Sequence, residues 1–246
     1  MRRIKLIVAY DGTEYSGWQI QPEAPTIEMY LDKAIHELTG ENVHVTGASR
    51  TDAGVHAYGN VAVFDTESTI PGDRFTFALN RFLPDSIVIQ DSWEVSSDFH
   101  PRHCNTRKTY EYRILNTAVP LPQKRNFTWH VVGSIDIEKM KEAAAYIVGE
   151  HDFKSFCQTG AQVESTVRTI YSVEVEEQGE NDLVIRVCGN GFLYNMVRII
   201  AGTLLDIGQG KRDPMDIFTI LESKDRSAAG PTAPAHGLTL VKYEFL

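Results

Sequence analysis

The sequence predicts an α+β fold made of two ferredoxin-like halves, each a split β-α-β unit with an antiparallel sheet, and the two sheets are expected to merge into one extended sheet flanked by helices and loops. Two observations predict this class. Segments with alternating apolar residues, typical of half-buried strands, are interleaved with segments of helical periodicity. The order strand, helix, strand, strand, helix, strand then occurs twice along the chain, which is the order of the split β-α-β unit.

The first half contains all six elements of that order. A strand over residues 3–10 precedes a helix that opens at Pro25-Thr26 and closes at Gly40, where a C-terminal cap belongs. A second helix is expected after Pro71-Gly72-Asp73, with Asp73 as its N-cap. The remaining strands are predicted near residues 43–48, 59–66 and 86–94.

The second half repeats the order. We expect one helix from Asp136 to about Val148, closed by Gly149, and a mostly apolar helix over about residues 192–207. A further helix should follow Asp213-Pro214, an N-cap with proline at the first helical position. Strands are predicted at residues 108–115 and 238–245, and a hairpin joins residues 167–176 and 183–189 through the turn at 178–182.

Composition restricts the class of protein. Hydrophobic residues make up 42% of the 246 residues and charged residues 23%, which excludes a disordered or fibrous chain. We find no apolar run near the ~18 residues of a membrane span and expect no signal peptide, because strand-like alternation starts at once. Three widely spaced cysteines favour reduced thiols and a cytoplasmic location. We expect two domains, residues 1–100 and 101–246.

The charge is unevenly distributed. A formal net charge of -9 makes nucleic acid an unexpected partner for the chain as a whole. Residues 171–182 are strongly acidic, however, and residues 100–113 are strongly basic, so either both are solvated surface runs or the chain has a basic face. Under the second interpretation, we expect phosphate contacts from the basic stretch and from the basic residues at the N-terminus, namely Arg102, Arg107, Lys108, Arg113, Arg2, Arg3 and Lys5.

The main candidates for catalysis lie in the loop over residues 47–57. It is rich in small residues, as a loop must be if a bulky ligand approaches its backbone closely. Asp52 is the carboxylate within it, and Arg50 lies two residues earlier. An Asx turn that only caps a tight loop, with a solvated Arg50, explains the same pattern.

This loop reads G-A-S-R-T-D-A-G-V-H-A and resembles the signature of the TruA-type tRNA pseudouridine synthase family, in which a G-R-T-D-A-G-V-H-A run carries a nucleophilic aspartate. Ala48-Ser49 is a small variation from that run, and Pro101 replaces the alanine of the family's F-H-A-R block. Further matching blocks occur in family order over nearly the whole chain, at residues 10–13, 17–19, 79–84, 99–102, 107–110, 149–153, 191–198 and 233–238.

The resemblance implies a reaction without cofactors. Uridine in the tRNA anticodon stem-loop, expected at nucleotides 38 to 40, becomes pseudouridine when the N-glycosidic bond breaks and carbon 5 of the turned uracil is joined to the ribose. The resemblance makes Asp52 the nucleophile or the base, and makes Arg198 the cation that keeps Asp52 ionised. It also implies a homodimer that binds one tRNA across both subunits.

The remaining roles concern RNA recognition. The resemblance makes Tyr110 the ring that stacks on the target uracil, Leu238 an apolar wall on the other side, and Arg50 a residue that helps to extrude the nucleotide. Tyr112 shares a strand face with Tyr110, and we expect it to be a core aromatic residue.

Other functions stay open. A non-catalytic RNA-binding protein explains the fold pattern and the basic stretch, but leaves Asp52 and Arg198 without a role. A synthase of the same family that acts on other RNA sites is a second alternative. A hydrolase with Asp52 as nucleophile and His56 as base is a third. A zinc site at His100, His103 and Cys104 lacks an evident fourth ligand.

Overall fold

The computed structural model describes residues 1–160 and 163–246, and the chain forms two compact units. Unit 1 comprises Met1–Asn105 and Leu240–Leu246, and unit 2 comprises Thr106–Thr239. The last seven residues therefore belong with the first half of the chain. The expected division into residues 1–100 and 101–246 places them in the second domain instead.

Unit 1 follows the predicted order of elements. They are β1 (Arg2–Tyr10), α1 (Ile27–Thr39), β2 (Thr46–Gly47), β3 (His56–Thr66), α2 (Phe75–Leu79) and β4 (Ile87–Val95). The strands lie in the order β4-β1-β3 and pair antiparallel, with β2 on the β3 ladder. The final strand, β10 (Leu238–Phe245), lies beside β3, and this pairing accounts for the membership of residues 240–246 in unit 1.

Local signals set the ends of α1 as predicted. The Thr26 side chain accepts a hydrogen bond from the amide of Met29, which satisfies one of the unpaired donors of the first turn. Gly40 has φ +75° and donates its amide to the carbonyl of His36, so it closes the helix in the left-handed conformation.

Two expectations for unit 1 are corrected. Asp73 is not a helix N-cap: a 3-10 turn over Gly72–Arg74 leads into the five-residue α2, neither has a side-chain cap, and the Asp73 carboxylate lies 3.5 Å from Arg74 Nε. The strand expected near residues 43–48 is only the two-residue β2. The amide of Val45, just before β2, donates to Asp32 Oδ1 of α1 at 2.8 Å. This amide is therefore used by the α1 side chain and not by strand pairing.

Unit 2 contains the second set of elements. They are β5 (Thr106–Asn116), β6 (Trp129–Val131), α3 (Ile137–Ile147), β7 (Gly149–Asp152), β8 (Val167–Glu177), β9 (Asp182–Gly189), α4 (Met196–Gly208) and α5 (Asp216–Ser223). The order β5-β9-β8-β7 is antiparallel, and β6 runs parallel to β5. The predicted hairpin of β8 and β9 is confirmed, with the amide of Gln178 donating to the carbonyl of Asp182 at 2.8 Å.

Helix starts in unit 2 are partly as predicted. Asp136 is the N-cap of α3, because its side chain accepts from the amide of Lys139. The apolar helix begins four residues later than expected, since Asn195 adopts φ +60° immediately before α4. The helix expected from Pro214 begins at Asp216, and the Asp213 side chain instead accepts from the amide of Met215 in the preceding turn.

The α+β class is confirmed by these ten strands and their accompanying helices. Both units have apolar cores. In unit 1 the alternating residues Ile4, Leu6 and Val8 of β1 are fully buried. In unit 2 most of α4 is buried, as its apolar sequence predicts. Among the described residues, none of the helices combines the length and apolar character required to cross a bilayer.

Candidate active site

The loop that joins β2 to β3 carries Asp52, and the segment after β1 fastens it. The carbonyl of Thr51 accepts a hydrogen bond from the amide of Trp18 at 3.0 Å. The Thr51 hydroxyl lies 2.7 Å from the hydroxyl of Tyr10, the last residue of β1. The residue immediately before Asp52 is therefore fixed through both its main chain and its side chain.

Both ends of this loop are held as well. The Asn60 side chain accepts from the amide of Ser49 at 3.2 Å and donates to its carbonyl at 2.9 Å. On the other side of Asp52, the amide of Gly54 donates to the carbonyl of Tyr15 at 3.2 Å. Asp52 thus projects from a backbone with little freedom to move.

Close backbone contact explains two glycines beside the loop. A Cβ on Gly12 would lie 2.1 Å from the carbonyl oxygen of Val55. Gly17 adopts φ +93°, and a Cβ there would lie 2.7 Å from the carbonyl oxygen of Thr51. Any side chain at either position would push the Asp52 loop away from the segment that holds it.

Two of the predicted arginines lie around the same loop in unit 1. Asp52 is half-buried and Arg50 is exposed, so a bulky ligand can reach them. Arg102 donates from Nε to the carbonyl of Gly47 at 2.7 Å. Burial and then the nearby charge of Arg50 lower the pKa of the Arg102 guanidinium, with Glu28 acting in the opposite direction. The structure therefore groups three predicted site residues of unit 1.

His56 has a structural role. Its side chain is 2% exposed, and Nδ1 accepts from the amide of Gly12 at 3.0 Å, with Asp11 Oδ1 at 3.2 Å. A general base must come within hydrogen-bond reach of the proton that it removes. A ring that is almost completely buried is poorly accessible to a substrate proton, which counts against the hydrolase alternative.

In unit 2, Arg198 is held at the start of α4. Its Nε donates to the carbonyl of Ala233 at 2.7 Å, and its Nη1 donates to Asn195 Oδ1 at 2.7 Å. The side chain is half-buried, in contrast to its fully buried neighbours Ile199 and Ile200. These bonds fix the plane of the guanidinium.

Two tyrosines of β5 differ in their surroundings. Tyr112 is fully buried, as expected of a core residue, and its hydroxyl donates to the carbonyl of Pro234 at 2.8 Å. Burial raises the pKa of Tyr112 far above its ordinary value, although the charge of Arg198 opposes the shift. Tyr110 is 8% exposed, and its ring meets Phe192 edge-on at 5.2 Å between centroids.

The other predicted residues of unit 2 have distinct settings. Leu238 is buried at the start of β10. Arg107 is exposed, and its guanidinium lies over the ring of Tyr171 at 4.8 Å from the centroid. Lys108 is half-buried beside it in β5. Arg107 therefore presents both a charge and an adjacent aromatic ring to solvent.

The basic residues of β1 are unsuited to phosphate contact, contrary to expectation. Arg2 pairs with Glu94, and Arg3 makes two bonds to Asp65 at 2.7 Å each. Lys5 is only 8% exposed, and burial lowers its pKa. Its ammonium lies over the rings of Phe245, Trp93 and Phe99, at 4.0, 4.7 and 5.1 Å from the centroids.

Part of the acidic run is paired inside unit 2. Arg186 of β9 lies 3.0 Å from Glu174 and 2.9 Å from Glu111, and Arg113 lies 2.7 Å from the other oxygen of Glu111. Arg113 thus forms an ion pair with Glu111. Within the basic stretch, the stronger candidates for phosphate contact are therefore Arg102, Arg107 and Lys108.

Sequence reasoning missed the residues that hold the site. Tyr10, Trp18 and Asn60 fasten the Asp52 loop, and Phe192 contacts Tyr110. A signal was available for three of them, because Tyr10, Trp18 and Phe192 lie in blocks that match the family. Asn60 lies within a predicted strand, where nothing in the pattern indicates its contact with Ser49.

The histidine and cysteine group also has a defined geometry. The rings of His100 and His103 stack at 3.9 Å, and the Cys104 thiol donates to the His100 carbonyl at 3.4 Å. Within residues 1–160 and 163–246, no group of three or more His, Cys, Asp or Glu residues is arranged to hold a metal ion. All three cysteines lie in these ranges and are free thiols.

Comparison with known proteins identifies the family. The family model described as tRNA pseudouridine synthase matches residues 6–103 and 143–245. A protein of Ruminiclostridium cellulolyticum named tRNA pseudouridine synthase A is 52% identical over 242 residues, which cover 98% of this chain and 99% of that protein. A protein of the same name from Acetivibrio thermocellus is 50% identical, with the same coverage. The chain therefore belongs to the tRNA pseudouridine synthase family.

Proposed function

We propose that this protein isomerises uridine to pseudouridine in the anticodon stem-loop of tRNA, at nucleotides 38 to 40, with Asp52 as the catalytic carboxylate. The observation that carries the proposal is the fixed position of Asp52. It lies in the loop that matches the family signature, and it follows Thr51, whose hydroxyl contacts Tyr10 at the end of β1 and whose carbonyl accepts from Trp18. Fixed placement of a reacting group removes an entropic part of the barrier.

The reaction rearranges one nucleoside. The bond between N1 of uracil and the ribose breaks, the ring turns, and C5 forms the new bond to C1′. The proton on C5 leaves and N1 gains one, so no atom is imported and no electron acceptor is needed. The Asp52 carboxylate attacks the ribose or the base as a nucleophile, or removes the C5 proton after the bond breaks.

Each of these routes requires Asp52 to be ionised next to RNA phosphates. We assign Arg198 as the cation that stabilises the ionised form. An arginine stays charged at neutral pH and can hold both carboxylate oxygens in a planar fork. Its bonds to Ala233 and Asn195 support this assignment, because they fix the guanidinium before any RNA binds.

The target uracil must leave its stack to reach a carboxylate. We assign Tyr110 as the stacking partner, which offsets about 1–3 kcal/mol of that cost, and Leu238 as the apolar wall of the uracil pocket. Supporting this choice, Tyr110 is slightly exposed whereas Tyr112 on the same strand face is fully enclosed.

We assign phosphate contacts to Arg102, Arg107 and Lys108, and nucleotide extrusion to Arg50. In unit 1, the charges of Arg50 and Arg102 repel each other beside the Asp52 loop, and a phosphate bound there would relieve that repulsion. In unit 2, the exposed Arg107 and Tyr171 offer a charge and a ring face, a combination suited to RNA.

The proposal extends to the assembly and location of the protein. A homodimer that binds one tRNA across both subunits and a reaction without cofactors follow from the resemblance. The cytoplasmic location follows from the three widely spaced cysteines. Sedimentation velocity at assay concentrations tests the dimer, and a monomer under those conditions contradicts it.

The proposed activity is tested with tRNA transcribed with uridine that is tritiated at C5. Pseudouridine formation releases the label to water, so we expect stoichiometric release per modified site, and mapping should place the product at nucleotides 38 to 40. Binding without release would favour the non-catalytic RNA-binding alternative. Release with product at other nucleotides would keep the reaction and change the target.

A further inference from the structure

The connection at residues 96–105 lies at the end of unit 1 and is held firmly within it. The carbonyl of Phe99 accepts from Arg3 Nη1 at 2.8 Å, and the carbonyl of Pro101 accepts from the Tyr243 hydroxyl at 2.8 Å. Leu246 donates its amide to the carbonyl of Asn105 at 3.0 Å. This segment is therefore a fixed platform, and Arg102 projects from it.

Arg102 contacts the Asp52 loop at Gly47, where the loop begins. Its Nε donates to the carbonyl of Gly47, the last residue of β2, at 2.7 Å. The next amide, that of Ala48, donates to Val61 of β3 at 2.7 Å. Gly47 also lies directly against the Trp18 indole, since a Cβ on Gly47 would be 2.3 Å from that ring. Gly47 is thus held between the indole and the guanidinium.

We propose that Arg102 is a positioning residue for Asp52: through its Nε–H group it holds the Gly47 carbonyl and so fixes the N-terminal end of the loop that carries the carboxylate. This role is separate from any contact of its Nη groups with phosphate. It rests on the proposed function only in that Asp52 is taken as the reacting group. A hydrogen bond from a charged donor is stronger than one between neutral groups, which suits a single fastening point.

Three substitutions separate this role from a phosphate contact, because they differ in which atom replaces Nε. In Arg102→Gln, the amide nitrogen occupies the same place along the side chain as Nε, so a donor is kept and the charge is lost. In Arg102→Met, a methyl group stands there, and both donor and charge are lost. In Arg102→Lys, a methylene group stands there and the charge is kept.

The first readout is the single-turnover rate of tritium release at saturating tRNA, with tRNA affinity measured separately. We expect the rate to fall about 10-fold to 100-fold in Arg102→Met and Arg102→Lys, because the hydrogen bond from a charged donor is lost. In Arg102→Gln a weaker, neutral donor remains, so the rate should fall less, by about 3-fold to 10-fold. Affinity should follow charge instead, with Arg102→Lys binding more tightly than Arg102→Gln.

The second readout needs no RNA and no activity. Hydrogen–deuterium exchange over residues 47–56 of the free protein should be faster in Arg102→Met and Arg102→Lys than in wild type and Arg102→Gln. Thermal unfolding of each variant verifies that it is folded.

Two results would overturn the positioning role. One is a rate that follows charge, with Arg102→Lys fast and Arg102→Gln as slow as Arg102→Met. The other is exchange over residues 47–56 that is the same in all four proteins. If wild type releases no tritium, the proposed function fails, and the exchange measurement alone still decides whether Arg102 holds the loop.

Discussion

Arg198 and Ala233 hold each other through two hydrogen bonds of opposite direction. The Arg198 guanidinium donates from Nε to the Ala233 carbonyl at 2.7 Å, and the Ala233 amide donates to the Arg198 carbonyl at 3.1 Å. An arginine side chain normally loses about 1.5–2 kcal/mol of rotamer entropy when it is ordered. In this protein that cost is met on folding, so the Arg198 guanidinium is already ordered within unit 2 before RNA binds.

Replacement of Asp52 by asparagine should separate catalysis from binding. The amide keeps the size of the side chain and removes its charge and basicity, so tritium release should fall to background while tRNA affinity stays within about threefold. Asp73→Asn is the matched control, since Asp73 is an exposed carboxylate of unit 1 beside Arg74, and it should retain full activity. Substantial turnover by Asp52→Asn would remove Asp52 from the centre of the reaction.

The two tyrosines of β5 should respond differently to substitution. Tyr112→Phe leaves the Pro234 carbonyl without its donor and should lower the free energy of unfolding by about 1–3 kcal/mol with little change in kcat. Tyr110→Ala should reduce tritium release by about 5-fold to 160-fold, because about 1–3 kcal/mol of base stacking is lost. Chemical denaturation and the release assay on both variants check this. If Tyr110→Ala affects only stability, the stacking role is excluded.

Arg107 should contribute to the salt dependence of tRNA binding. Loss of one phosphate contact should reduce the slope of log K against log salt concentration by about 0.9 at duplex-like sites and about 0.7 at single-stranded ones. Arg107→Ala is compared with Arg74→Ala, an exposed arginine beside Asp73. Equal slopes in Arg107→Ala and wild type would count against the contact.

The sequence predicted elements whose signals are local. Thr26, Gly40 and Asp136 each act within four residues of their position, so their roles as caps could be read directly. Asp73 has the composition of an N-cap but lies before a 3-10 turn, and no local pattern distinguishes the two cases. The short strands β6 and β7 were missed because three or four residues carry too little periodicity.

The site was predicted less completely, for a related reason. The family signature indicated Asp52, Arg198 and Tyr110, but the partners of charged residues depend on contacts distant in sequence. Lys5 reads as a surface cation, yet it is enclosed by Phe245 at the other end of the chain. Arg102 reads as a phosphate ligand, and its bond to Gly47 spans 55 residues.

Acid should weaken unit 1 through the ion pair of Arg3 and Asp65. The hydrogen bond from Arg3 lowers the pKa of Asp65 below its usual value, so the folded state binds fewer protons than the unfolded state near pH 4. The stabilisation is therefore fully present above about pH 5, since an unfolded aspartate has a pKa near 3.9, and is lost as pH falls through the lower folded value.

The measurement is urea unfolding of wild type and Asp65→Asn at pH 7 and pH 3. At pH 7 the variant should be less stable, by up to about 1 kcal/mol for a partly exposed pair, and the difference should shrink at pH 3. A difference that grows towards low pH would have the wrong sign and would contradict the ion pair as its source.

Gly17 and Gly40 provide a matched pair for testing whether the position of Asp52 limits the rate. Both have positive φ, +93° and +75°, so alanine costs roughly 1–2 kcal/mol of strain at either site. They differ in their surroundings: a Cβ on Gly40 meets nothing within 4 Å, whereas a Cβ on Gly17 lies 2.7 Å from the Thr51 carbonyl oxygen. Gly40→Ala should therefore lose stability and keep its activity.

Gly17→Ala should lose at least as much stability and also displace Thr51, together with the carboxylate that follows it. A displacement near 1 Å can reduce a rate by about 100-fold, so release at saturating tRNA should fall far more in Gly17→Ala than in Gly40→Ala at equal fractions of folded protein. If the two variants show equal activity, the fixed backbone before Asp52 does not control the rate. The fixed position of Asp52 would then no longer support the proposed function.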